Sequence, residues 1–84
     1  MPFYRRYEQT KVLLKTEELE VVVSMVSNMP DMITITPIPK NIDLNQLLYS
    51  LLTQEFPKLE IKLWWRPRTV DKINAKIEVV AARG

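Results

Sequence analysis

A chain of 84 residues with a net charge of +2 makes one domain, over 1–84, and that charge alone is too small to indicate a nucleic-acid partner. Cysteine and histidine are absent and the only glycine is residue 84, which excludes disulfides, thiolate or imidazole metal sites and glycine-rich phosphate loops. We therefore expect no enzyme activity, no cofactor, no metal and no small-molecule substrate.

The first residues, MPFYRRYE, contain no apolar segment of the length that a signal peptide or a membrane helix requires. We expect a disordered tail over 1–8 and a soluble, cytoplasmic protein. Six prolines and the scarcity of glycine are compatible with a thermophilic source. The following segment, KVLLK at 11–15, predicts the first strand, with a start as early as Tyr7.

The segment 16–29 has two interpretations. Thr16 before two glutamates suits a helix N-cap, and the apolar residues that follow have helical spacing: Leu19, Val22, Val23, Val26 and Met29. The alternative is a strand, because the run 21–23 is entirely β-branched valine and Pro30-Asp31 would close a hairpin. The helix is the preferred interpretation.

A strand at 32–36, ended by Pro37, leads to the clearest helical pattern in the chain. Asp43 with Gln46 three residues later predicts a capping box, and Pro57 predicts the end of the helix. Between them lies an apolar stripe that predicts core or a dimer interface; the interface residues we assign are Leu44, Leu48, Leu51, Leu52 and Phe56. The other side of this helix is polar and uncharged, which suits contact with a second subunit.

The last part of the chain predicts a β-hairpin with strands at 58–66 and 73–82. Strict alternation places Trp65 on the inner face, as a core residue, and Trp64 on the outer, charged face. Charge selects the register: Lys62 opposite Glu78 forms a salt bridge, and Trp64 opposite Lys76 offers a cation–π contact. The hairpin tip then lies at 67–73. Three aspartates, Asp31, Asp43 and Asp71, are interpreted as turn or cap residues.

The segment around Trp64 is the candidate binding site, because only there are aromatic rings interleaved with guanidinium groups. An exposed indole beside Lys62 and Arg66 is typical of a surface that stacks nucleic-acid bases and contacts phosphates. Arg68 and Lys72 extend the cationic tip. Both ends of the chain are basic and its middle is acidic, so the small net charge hides a basic face if the ends lie together.

The predicted order of strands and helices resembles the Alba family of small archaeal chromatin proteins. The sequence likeness is carried by FPKLEIK at 56–62, AKIEVV at 75–80 and KVLL at 11–14. The resemblance implies an α+β two-layer sandwich of order β-α-β-α-β-β, a homodimer formed through the second helix, and a basic hairpin that reaches the minor groove of DNA. It adds Lys40 and Lys15 to the nucleic-acid contacts. The paired lysines of the first helix and the lysine of the second are missing here.

Together these features predict a nucleic-acid-binding dimer of low sequence specificity, associated with the nucleoid if its ligand is DNA. The contacts are Lys15, Lys40, Lys62, Trp64, Arg66, Arg68 and Lys72. About six phosphate contacts per dimer predict a log–log salt slope near −5. The alternative is a protein-interaction or assembly module in which Trp64 and Arg66 anchor a protein partner, since both residue types are enriched at interface hot spots.

Overall fold

The computed structural model describes residues 9–67 and 70–83, and the predicted tail over 1–8 lies outside them. One five-stranded antiparallel sheet, in the order β1-β2-β3-β5-β4, carries a single helix among these residues. The elements are β1 (Gln9–Lys15), β2 (Glu20–Val26), β3 (Met29–Thr36), α1 (Leu44–Glu55), β4 (Leu59–Trp65) and β5 (Ile73–Ala82). The connection from β3 through α1 to β4 leaves a gap in the sheet that β5 fills.

The expected β-α-β-α-β-β order is wrong, because 16–29 forms no helix. Thr16 does use its hydroxyl as an N-cap would, accepting the N–H groups of Glu18 and Leu19 at 3.1 Å each. Its own N–H donates to the Leu19 carbonyl at 2.9 Å, so the same side-chain chemistry closes a tight turn from β1 to β2. The Alba-like topology loses its first helix at this point.

The chain reverses between β2 and β3 at Ser27 and Asn28 rather than at Pro30-Asp31. Their φ angles are 53° and 64°, and Val26 pairs with Met29, which describes a two-residue turn of type I′. The β-branched valines decide the outcome upstream of it. Val21 and Val23 alternate into the core and are fully buried, as a strand with one covered face requires.

The predicted helix is confirmed at both ends. The Asp43 Oδ1 atom accepts the N–H of Gln46 at 3.1 Å, and the Phe56 N–H donates to the Leu52 carbonyl at 2.7 Å just before Pro57. Capping therefore satisfies backbone groups that the helix itself leaves unpaired.

The apolar stripe of α1 forms the core of this single chain. Leu48 and Leu52 are 0% and 1% exposed and pack on the buried residues of the sheet, including Ile33, Ile35 and Ala75. The other assigned interface residues, Leu44, Leu51 and Phe56, are partly buried against the same core. Leu48 and Leu52 consequently have no surface to offer a partner, and a contact through α1 needs other residues.

The predicted register of the last hairpin is confirmed. Lys62 lies opposite Glu78, and Trp64 lies opposite Lys76. The salt bridge predicted between Lys62 and Glu78 does not form, because both side chains contact Trp64 instead. The register shifts by one residue beyond Ile61, where Glu60 pairs with Ala81 and leaves Val80 as an extra residue. Ala81, which strict alternation places on the inner face, is exposed as a result.

The two edges of the sheet are β1 and β4. On β4 the Tyr49 hydroxyl, from α1, accepts the edge N–H of Leu63 at 3.0 Å. On β1 the register shifts at Leu13, and Lys11 forms an ion pair with Glu55 at the end of α1. The helix thus crosses the sheet diagonally, and one face of the sheet is left without a covering layer among the described residues.

Candidate binding surface on the open face of the sheet

The face of the sheet opposite α1, called the open face here, presents side chains from all five strands. Register places two rows across it: one is Val12, Val22, Thr34 and Asn74, and the other is Thr10, Ser24, Met32, Lys76 and Trp64. The half formed by β1, β2 and β3 is mostly small and uncharged in these rows. The half formed by β5 and β4 carries the charges and the one indole of the face.

Five residues of that second half are called the Trp64 cluster: Lys62, Trp64, Arg66, Lys76 and Glu78. They share the open face because they occupy even-numbered positions on β4 and β5 or, for Arg66, directly after β4. The Arg66 N–H donates to the Asn74 carbonyl at 3.0 Å, which extends the ladder by one residue and keeps Arg66 in line with the strand.

Trp64 lies outward as predicted, with 51% of its surface exposed. Its indole Nε1 donates to the Glu78 Oε1 atom at 2.8 Å, and the Lys62 Nζ atom lies 4.5 Å from the centre of the ring. The predicted cation–π partner was Lys76; Lys62 takes that place, and the Glu78 carboxylate accepts from the indole. These two contacts fix the orientation of the ring while half of it faces solvent.

Lys76 points to a different partner. Its ammonium forms an ion pair with Asp31, which is only 7% exposed. Asp31 is the extra residue where the β2–β3 register shifts, so it is neither a turn nor a cap residue as we predicted. The two residues are 45 positions apart in sequence, so no local pattern could have indicated the pair.

Trp65 lies on the inner face as predicted, but it is not a core residue. It is 37% exposed, and its Nε1 atom donates to Asn45 Oδ1 at 2.9 Å near the start of α1. The position of β4 at the edge of the sheet explains this, because an edge strand has a neighbour on one side only. The prediction identified the face correctly and the burial wrongly.

The other predicted contacts do not all join the Trp64 cluster. Lys15 lies on β1, four strand spacings or roughly 19 Å from β4, and its Nζ atom is 3.7 Å from Glu20 Oε2. Lys40 is exposed in the loop between β3 and α1, and Lys72 directly precedes β5. Arg68 lies outside the described residues. Sequence reasoning missed Lys76 and Glu78 as members of the site, although the register it selected placed them beside Trp64.

The open face differs from an enclosed ligand site. Two shallow depressions, of about 300 and 250 Å³, lie elsewhere, against the start of α1 and between α1 and the lower part of β4. Within 9–67 and 70–83, no three acidic side chains are grouped as a metal site would require, and no helix could cross a membrane. The half-exposed indole of Trp64 suits a planar ligand that stacks on the ring, and not a ligand that is enclosed in a cavity.

Comparison with known proteins adds no relative: no family model, no curated protein and no solved structure matches this chain. The Alba resemblance gains no support from these comparisons, and the element order it implied is corrected above.

Proposed function

We propose that the protein binds single-stranded nucleic acid, DNA or RNA, on the Trp64 cluster without reading a defined sequence. The observation that carries the proposal is the indole of Trp64, half exposed on a sheet face that none of the described elements covers, and oriented by Glu78 and Lys62. An exposed aromatic ring held in one orientation is a platform on which a base can stack. Such stacking contributes roughly 1–3 kcal/mol per base in single-strand binders.

Phosphate contacts come from the cations on either side of the ring. Lys62 and Arg66 lie two residues before and after Trp64 on the same face, so they are about 13 Å apart along the strand. Lys76 is paired with the buried Asp31, and Lys15 lies at the opposite edge of the sheet, so neither is counted. A site with so few cations favours an unpaired strand, whose bases add stacking energy, over a duplex whose binding is mainly electrostatic.

The salt dependence follows from the same count. Two or three phosphate contacts on a single strand give a log–log slope of about −1.4 to −2.1, since each contributes about −0.7. This slope is less steep than the value near −5 expected for about six contacts per dimer, because fewer contacts are counted and each contributes less on a single strand than on a duplex.

Fluorescence of two variants tests the proposal, because Trp64 and Trp65 are the only tryptophans in the chain. Trp65→Phe reports on the open face, and Trp64→Phe is the matched control that reports on the inner face. Titration with oligonucleotides of about 12 residues should quench the first variant and leave the second nearly unchanged. Absence of any response, or equal responses in both variants, would contradict the proposal.

The second candidate is a self-association surface, and the apolar residues of β1, β2 and β3 on the open face favour it. Val12 is 52% exposed and lies in one row with Val22, while Met32 lies in the next row. A two-fold contact between open faces would set these residues against the Trp64 cluster of the second copy, covering both. Sedimentation over a wide concentration range tests this, with Val12→Lys expected to abolish association and a concentration-independent monomer contradicting it.

A further inference from the structure

We infer, resting on the proposed function, that Glu78 makes the Trp64 platform prefer bases with an exocyclic amino group, cytosine above uracil. Glu78 lies on β5 directly opposite Lys62 and is exposed on the open face. Its Oε1 atom contacts the Nε1 edge of the indole at 2.8 Å. A base that stacks on the face of the ring away from Lys62 therefore has one of its own edges close to the carboxylate.

The carboxylate keeps accepting capacity after it binds Trp64. An ionised carboxylate has two oxygens and about four acceptor positions, and one indole N–H uses one of them. Lys76, the cation on the same strand two residues away, is held by the buried Asp31. The Lys62 ammonium lies over the indole ring. Glu78 therefore keeps acceptor positions for the edge of a base that stacks beside it on Trp64.

The hydrogen-bonding groups of each base determine which base the Glu78 carboxylate favours. Cytosine presents an amino group at C4, which donates to a carboxylate, whereas uracil presents a carbonyl oxygen there, which the carboxylate repels. One additional hydrogen bond to a charged acceptor corresponds to a difference of about fivefold or more in affinity. The preference concerns a single base on the platform, so it is compatible with binding that reads no defined sequence.

The test measures the affinity of the full chain for oligocytidylate and oligouridylate of about 12 nucleotides, with the native protein and two variants. Glu78→Gln keeps an oxygen that can accept from Trp64 but adds an amide donor suited to the uracil carbonyl. Glu60→Gln is the matched control. It removes one negative charge from the open face, as Glu78→Gln does, but at a position on β4 two residues from Lys62. Because every protein is measured with both oligomers, comparing their preferences removes the intrinsic difference in stacking between the two bases.

We expect the native protein and Glu60→Gln to bind oligocytidylate about fivefold more tightly, and Glu78→Gln to lose or reverse this preference. Equal affinity of the native protein for both oligomers would overturn the role of Glu78 and leave the proposed function standing. A preference that survives in Glu78→Gln would overturn it equally. Failure of both oligomers to bind the native protein would reject the proposed function, and the base preference with it.

Discussion

Lys76 on β5 holds Asp31 at the bulge of β3, next to the point where the ladder between these strands ends at the Met32–Lys76 pair. The two side chains differ in their access to water, since the Asp31 side chain is 10% exposed and that of Lys76 is 34% exposed. The ion pair thus joins two strands of the open face and supports the residue that pairs directly with Trp64.

The unequal exposure predicts unequal effects of removing either partner. Lys76→Met removes the ion pair with the buried Asp31 and should lower the free energy of unfolding by about 2 kcal/mol. Asp31→Asn leaves a lysine that can extend into water and should cost about 1 kcal/mol. Urea denaturation measures both. The double variant should be less destabilised than the sum of the single ones, and strict additivity would show that the pair is not coupled.

Substitution of Arg66 and of Lys15 should affect nucleic-acid binding differently, although the sequence predicted both residues as nucleic-acid contacts. Arg66→Ala should weaken binding and make the log–log salt slope less steep by about 0.7, the value for one phosphate on a single strand. Lys15→Ala should leave the affinity and the slope unchanged, because Lys15 lies at the far edge and pairs with Glu20. Titrations at several salt concentrations measure both; a loss of affinity in Lys15→Ala would mean that the ligand crosses the whole face.

The β2–β3 turn predicts a stabilising substitution. Ser27 and Asn28 both have positive φ, and glycine adopts such angles more readily than any other residue. Replacing the pair by Asn-Gly, the preferred type I′ sequence, should raise the free energy of unfolding by about 0.5–1 kcal/mol. Asn28→Val, a β-branched residue forced into the left-handed region, should have the opposite sign. Thermal unfolding of the two variants checks this, and a shared sign would contradict the turn geometry.

Two leucines of α1 differ in burial, so their substitution by alanine should cost different amounts of stability. Leu48→Ala removes a completely buried side chain and should cost about 3 kcal/mol, a large part of the stability expected for a chain of this size. Leu47→Ala is the matched control: Leu47 is partly exposed and lines a shallow depression, so its loss should cost under about 1 kcal/mol. Similar costs in chemical denaturation would contradict the assignment of Leu48 to the core.

The helix and the last hairpin were predictable from sequence because their signals are local. Asp43, Gln46 and Pro57 mark the ends of α1 by hydrogen bonding and by the missing proline N–H. The register of β4 and β5 followed from opposite charges at Lys62 and Glu78, in a hairpin whose strands follow one another in the chain. The outward position of Trp64 followed from strand alternation.

The first half of the chain and part of the site depended on contacts that are distant in sequence. Val22, Val23 and Val26 fit a helical stripe as well as a strand. The sheet decides between them, because β2 pairs with β1 and β3 and buries Val21 and Val23 in the core under α1. The turn at Ser27-Asn28 lacks the glycine that usually marks such a turn. The position of β4 at the edge, which exposes Trp65, is a property of strand order that no local pattern carries.

The two edge strands of the sheet, β1 and β4, also affect whether copies of this protein associate edge to edge at high concentration. The Tyr49 hydroxyl occupies a main-chain donor on β4 that an incoming strand would need, and the irregularity at Leu13 with flanking lysines distorts β1. Growth of the sheet from one molecule into the next is thereby opposed at both sides. A small chain composed mainly of strands can then accumulate in a crowded compartment without templating fibres.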